Sequence, residues 1–263
     1  MIKVKEVISI VENGCTEPID CFLDNGMRAI VKTYNNIQSN IVLVNELICY
    51  ELAVYLKLPM PRSGVCLMDN QVIDDNKILD KLKYGKGFYS ERIDKATVLT
   101  GSAMLGLVHN KEDIQQCILF DHLIYNKDRN PGNLLISTRT EKVRMYMIDH
   151  THVFNKQTLW DRAQLELCML DQDYQDTEII ERNREIYNIF FNTINMPIEN
   201  LLLISEEFRS KIDRYLLESI ISKVPEEWEL TDSDGYALIE YLLYRLKHLD
   251  DMCHLIDKNK GVL

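Results

Sequence analysis

The chain has 263 residues, 46% of them hydrophobic and 27% charged, with a formal net charge of −11. That length allows one large domain or two lobes around a shared core. The acidic balance argues against a protein whose main task is gripping nucleic-acid backbones.

No apolar run approaches the roughly 18 to 20 residues that a membrane helix needs. The opening stretch MIKVKEVISIVENG carries charges where a signal peptide needs apolar side chains. The 7 cysteines are scattered, with no Cys-x-x-Cys pair, as suits reduced thiols in a cytosol. The expectation is a cytoplasmic protein with no direct contact to nucleic acid or membrane.

Residues 1–34 read as short strands. Lys3 to Ile10 opens with alternating apolar residues and runs into the turn Glu12-Asn13-Gly14. Ile19 to Leu23 and Met27 to Thr33 flank Asp24-Asn25-Gly26, a hairpin signal because Asn-Gly tolerates the positive φ of a tight turn. From Leu43 to Leu58 the apolar positions 44, 47, 48, 52, 55 and 56 follow a helical period, and the helix ends before Pro59-Met60-Pro61. Gly64 to Met68 and Phe88 to Arg92 read as further strands.

The second half is mostly helical. Asp113 to Tyr125 carries an apolar stripe, and Leu134–Ile136 and Met145–Ile148 read as a hairpin around a polar turn at 138–142. Long helical patterns follow near 176–195, 205–223 and 232–257. The acidic run Asp171-Gln172-Asp173-Tyr174-Gln175-Asp176 is expected to be a solvated loop. The resulting class is α+β, with two lobes, residues 1–92 and 93–263, the first β-rich with one helix and the second mainly helical.

The densest polar information lies in Asn126-Lys127-Asp128-Arg129-Asn130-Pro131-Gly132-Asn133. Pro131 fixes its own φ and pushes Asn130 away from helix, leaving a polar loop between a buried helix and a buried strand. Farther on, Asp149 ends the apolar run Met145–Ile148. Phosphoryl transfer needs a carboxylate to orient or accept the acceptor's proton, and hard oxygen ligands for Mg²⁺. Asp128 suits the first duty, and Asn133 and Asp149 the second. The competing reading is local: Asp-Arg-Asn-Pro-Gly-Asn is also good turn composition. His122, His150 and His152 with Asp121 and Asp149 offer a rival transition-metal grouping, which requires the fold to gather them.

Asp128-Arg129-x-x-x-Asn133-Leu-Leu-Ile, followed by Ile148-Asp149-His150, resembles the catalytic loop and metal-binding motif of HipA-like kinases, within the protein-kinase-like fold. Phosphoinositide 4-kinases carry a similar Asp-Arg-x-x-x-Asn loop. Arg28-Ala29-Ile30-Val31-Lys32, Val44-Asn45-Glu46-Leu47, Leu58-Pro59-Met60-Pro61 and Val224-Pro225-Glu226-Glu227-Trp228 extend the resemblance over nearly the whole chain.

The resemblance implies ATP and Mg²⁺ as cofactors, Asp128 as base, and Asn133 and Asp149 as metal ligands. Lys32 would contact the phosphates and Glu46 would pair with it. Glu12 to Pro18 stands where a phosphate-covering loop belongs, with Gly14, Cys15 and Thr16 as its contacts. Phe88 to Arg92 stands at the adenine hinge, with Glu91 as the contact there. The loop departs from the family in having one glycine, and Glu12 and Glu17 would repel an anion they faced. Thr151 stands where many kinases have glycine, and Asn130 where HipA-like members often have histidine. The implied activity is a serine/threonine protein kinase. Alternatives are a lipid or small-molecule kinase of the same fold, or a pseudokinase that binds nucleotide or a partner. A DNA-binding antitoxin partner is implied by family analogy alone.

Overall fold

A computed structural model describes residues 1–12 and 15–260. The first part of the chain is a closed barrel of β1 (Ile2–Ile10), β2 (Ile19–Leu23), β3 (Arg28–Lys32), β4 (Ser63–Met68) and β5 (Gly85–Glu91) in the order β1-β2-β3-β5-β4. Neighbours are antiparallel except β1 and β4, which close the barrel in parallel through Ile2 opposite Cys66. Gly26 takes φ +82° in the β2–β3 turn, a conformation that glycine adopts without steric cost. Alternation puts Ile19, Cys21, Leu23, Ala29, Val31, Cys66 and Met68 inside, as the period of 2 demands, and a register shift in β1 brings in both Val4 and Val7.

Helix α1 (Ile41–Leu56) connects β3 to β4. Its buried residues join the large hydrophobic cluster of the helical half and not the barrel interior. The helix is buried nearly all round, and the polar Asn45 and Glu46 are buried with it. Lys57 ends it in the left-handed region, its N–H bonding back to Ala53 and Val54, two residues before Pro59. Trp228 ties the two halves from the other side: it is 2% exposed and donates from Nε1 to the Lys86 carbonyl at 2.8 Å.

Beyond β5 come β6 (Ala96–Val98), α2 (Ser102–Gly106), α3 (Asp113–Leu123), and the hairpin β7 (Leu134–Ser137) and β8 (Arg144–Met147), forming the small sheet β6-β7-β8. The helical part comprises α4 (Arg162–Leu170), α5 (Glu178–Arg182), α6 (Arg184–Thr193), α7 (Ile198–Lys211), α8 (Arg214–Ile221), α9 (Asp232–Lys247) and α10 (Leu249–Asn259). Helix α3 packs on α7, α9 and α10, and α4 packs on α9.

Three sequence expectations change here. Each long helical pattern is broken, at Asn183, at 212–213 and at His248. Asp213 caps α8 by accepting from Leu216 N–H, and short polar caps compete with helix continuation. Strand β6 and helices α2 and α4 were not foreseen. The acidic run is not simply a solvated loop, because Asp173 is 5% exposed and accepts from Arg245 at 2.7 Å and from Tyr241 at 2.5 Å.

Among the described residues no helix is long and apolar enough to cross a membrane.

Candidate active site

The polar loop is built as its composition demands. Asn130 caps the 3-10 turn Pro131–Asn133, its Oδ1 accepting from Gly132 N–H at 2.9 Å. A Cβ at Gly132 would sit 2.9 Å from that same oxygen. The Asp128 N–H donates to Asn126 Oδ1 at 3.0 Å. Its carbonyl accepts from Asn133 Nδ2 at 2.7 Å, which turns the amide oxygen of Asn133 the other way. The Asp128 main chain is thus held at both ends while its side chain remains 45% exposed.

Leu134 pairs with Met147, and the Ile148 N–H donates to the Asn133 carbonyl at 3.1 Å. Asn133 and Asp149 therefore flank the same end of the hairpin. What locks that end is Arg129, 1% exposed. Its guanidinium donates to Asp121 from Nε and Nη2, to the carbonyls of Asn133 and Ile148 from Nη1 at 3.0 Å each, and lies 2.9 Å from His150 Nε2. One planar fork joins α3 to both hairpin strands, a use that suits arginine's fixed donor geometry. Burial and the nearby Arg129 push the His150 pKa well down, so its neutral ring accepts at Nε2.

Across the cleft, Lys32 ends β3. Its Nζ donates to Glu46 Oε1, to Asp149 Oδ1 at 2.9 Å and to Thr151 Oγ1 at 2.5 Å. The Lys32 and Glu46 side chains are 11% and 4% exposed. Burial works against the Lys32 ammonium, but the Asp149 and Glu46 carboxylates outweigh it and hold its pKa above that of a free lysine. Burial likewise works to raise the Asp149 pKa, and Lys32 overcomes it, holding this carboxyl below the usual range. Glu46 Oε1 also accepts from His150 N–H and Thr151 Oγ1, both at 3.1 Å. Asp149 adopts φ +59°, in the left-handed region that aspartate enters more readily than most residues.

Lys32, Glu46 and Asp149 are thus in one cluster, with Thr151 as a fourth member rather than a vacancy in a motif. Asp128 and Asn133 stand on the adjoining loop. Cys15 is exposed, whereas Thr16 is buried and gives its carbonyl to Asn36 Nδ2 at 3.0 Å. Gly14 lies outside the described residues. Glu17 pairs with Lys83 at 3.1 Å, which draws its charge away from the loop's interior. Glu91 pairs with Arg62 at 2.8 Å and donates its N–H to the Arg62 carbonyl at 2.7 Å.

The three histidines do not converge. His122 stacks on Tyr187 in the core, His150 meets Arg129, and His152 Nδ1 lies 3.0 Å from Asp128 Oδ2. Sequence reasoning assigned no role to Asn183, Asn36 or Gln38, and considered Asp121 only as a member of the rival metal grouping. The only signal was their polarity within otherwise apolar or loop-like stretches.

Two hard oxygen donors, the Asn133 amide oxygen and the Asp149 carboxylate (39% exposed), fit a magnesium-like ion better than a soft metal. Lys32 takes Oδ1 of Asp149 and leaves Oδ2.

Residues 4–159 match the HipA-like kinase family. No curated protein sequence matches the chain. Among solved structures, the Helicobacter pylori proinflammatory kinase CtkA aligns at 12% identity over 96% of this chain and 97% of its own, with a TM-score of 0.60. The Golgi casein kinase with Mn and ADP bound aligns at 12% identity over 96% and 74%, with a TM-score of 0.56. HipA from Shewanella oneidensis MR-1, solved with HipB and operator DNA, aligns at 14% identity over 98% and 68%, with a TM-score of 0.50. At such identities the likeness speaks for the fold: strand-rich N-terminal region, helical C-terminal region, kinase type.

Proposed function

The chain belongs to the HipA-like kinase family, and we propose that it is an ATP- and Mg²⁺-dependent phosphotransferase acting on a serine or threonine hydroxyl of a protein, with its lobes meeting near residue 92. The observation that carries this reading is Lys32 Nζ held between Glu46 and Asp149, facing a loop that presents Asp128 and Asn133. Lys32 stays charged although largely buried, because Asp149 and Glu46 face it, and it is aimed where phosphate oxygens would lie. Asn133 and Asp149 would hold the metal, which when bound supplies positive charge for the oxygens of the transferring phosphoryl group. The acceptor's proton passes to Asp128 as its oxygen bonds phosphorus and the bond to the leaving diphosphate breaks. The protein acceptor and the cytoplasmic setting rest on the family likeness.

Labelled Mg·ATP incubated with the full chain and a protein mixture tests this. Label should enter protein, and Asp128→Ala should remove at least about a thousandfold of the rate while nucleotide affinity changes little. Asp149→Ala should weaken the metal-dependent step and raise the Mg²⁺ concentration needed for half-maximal rate. Label confined to lipid or metabolite fractions would redirect the acceptor class. Binding of Mg·ATP with no transfer to anything would leave a nucleotide-binding module.

A further inference from the structure

His152 faces Asp128 with one ring nitrogen and the other side of the cleft with the other. Nδ1 lies 3.0 Å from Asp128 Oδ2, and Nε2 lies 3.2 Å from Gln38 Oε1. The Asp128 carboxylate can only accept, so the ring donates to it from Nδ1 and meets the Gln38 amide with its Nε2 edge. Gln38 belongs to the segment between β3 and α1 and is itself anchored. Its N–H donates to Asn36 Oδ1 at 3.1 Å, and Asn36 Nδ2 donates to the Thr16 carbonyl at 3.0 Å. Asn36 is 5% exposed and Thr16 3%. A continuous hydrogen-bonded line therefore runs from the β1–β2 connection, through Asn36, Gln38 and His152, to Asp128.

We propose that His152 is a positioning residue for Asp128, and that Gln38 makes its grip depend on the barrel's being seated against the helical half; the inference rests on the phosphotransferase reading above. The Asp128 main chain is already fixed by Asn126 and Asn133, so rotation of its carboxylate is the remaining freedom. Binding Oδ2 to an imidazole removes that freedom and leaves Oδ1 as the oxygen presented to an acceptor hydroxyl. A ring bonded at one edge can still swing. Bonded at two opposite edges, it cannot, and the second bond exists only while Gln38 is in place. Misplacement of a reacting group by about 1 Å can cost about a hundredfold in rate, so a tether of this kind acts on turnover more than on binding.

The test uses the full chain turning over Mg·ATP with water as acceptor, read as ADP release. His152→Ala should lower kcat by about ten- to a hundredfold with KM for Mg·ATP within about twofold of wild type. His152→Asn keeps a donor near the position of Nδ1 and should recover a substantial part of that loss, by itself separating a positioning role from a packing role. Gln38→Ala should lower kcat less, and should add nothing to His152→Ala, since both act through one bond to Asp128. A kcat within twofold of wild type in His152→Ala, a loss carried in KM, or additive effects of the two substitutions would overturn the relay while leaving the phosphotransferase intact. A wild-type chain that releases no ADP with either water or a protein mixture as acceptor overturns both. If His152→Ala fails to fold, the Gln38→Ala and His152→Asn comparisons decide the matter.

Discussion

Asn45, buried in the second turn of α1, donates from Nδ2 to the Thr151 carbonyl at 2.7 Å, 106 positions away in sequence. The same nitrogen donates to the Gln157 carbonyl at 3.0 Å, and Asn45 Oδ1 accepts from Trp160 Nε1 at 2.9 Å. One amide thus fastens the helix that carries Glu46 to the segment that follows Asp149. Asn45→Leu keeps the volume but strands an indole N–H and two carbonyls. It should cost about 2 to 4 kcal/mol, read as a lower urea midpoint at unchanged slope. A change below about 0.5 kcal/mol would mean the segment is not held there.

Lys32→Met should destabilise the fold as well as impair nucleotide binding. Glu46 is 4% exposed, and removing its cation leaves a carboxylate that water barely reaches. Breaking a buried pair from one side typically costs about 3 to 5 kcal/mol. Adding Glu46→Leu to Lys32→Met should recover much of the stability and none of the nucleotide affinity. Urea unfolding and calorimetric titration with Mg·ATP separate the two effects.

Arg129 and Asp121 are each 1% exposed by side chain, so Arg129→Met should also cost about 3 to 5 kcal/mol. Pairing it with Asp121→Leu should restore part of that stability. Turnover should stay low in the double variant, because the carbonyls of Asn133 and Ile148 lose the donor that holds them together. Equal recovery of stability and turnover would show that the hairpin end needs no such clamp.

Acid should unfold this protein early. Burial lowers the His122 pKa from 6.5 to about 3, and burial beside Arg129 lowers that of His150 as well. Below 6.5 the unfolded chain takes up a proton at each ring that the folded chain refuses, so stability falls as pH falls. Each ring contributes about 1.4 kcal/mol per pH unit well below 6.5, and for His122 this continues to about pH 3. His122→Gln should flatten the slope of unfolding free energy between pH 6 and 4 by about one proton. An unchanged slope would mean that the ring is already charged in the folded state.

Much of the site was legible because its chemistry is local. Pro131 stops a helix, apolar runs on either side demand buried elements, and Asp128, Asn133 and Asp149 keep their spacing whatever the rest of the chain does. Lys32 and Glu46 were legible only through the likeness of Arg28–Lys32 and Val44–Leu47 to the family's segments. The broken helices were less so: Asn183 interrupts the pattern near 176–195 while its side chain supports Arg129 N–H at 2.9 Å and the Asn126 carbonyl at 2.8 Å. Nothing in its neighbours announces that duty.

Sequence alone therefore determined the strand-rich beginning, the helical remainder, and the identity of the groups that gather in the cleft. Tertiary structure alone decided what holds them: Asn45 on Thr151, Arg129 on Asp121 and two carbonyls, Gln38 on His152. The physical reason is that a buried polar side chain must find its partner by direct contact. Such partners lie 119 positions apart for Thr151 and Lys32 and 142 apart for Trp228 and Lys86, and a pairing of that kind leaves no period in the chain to be read.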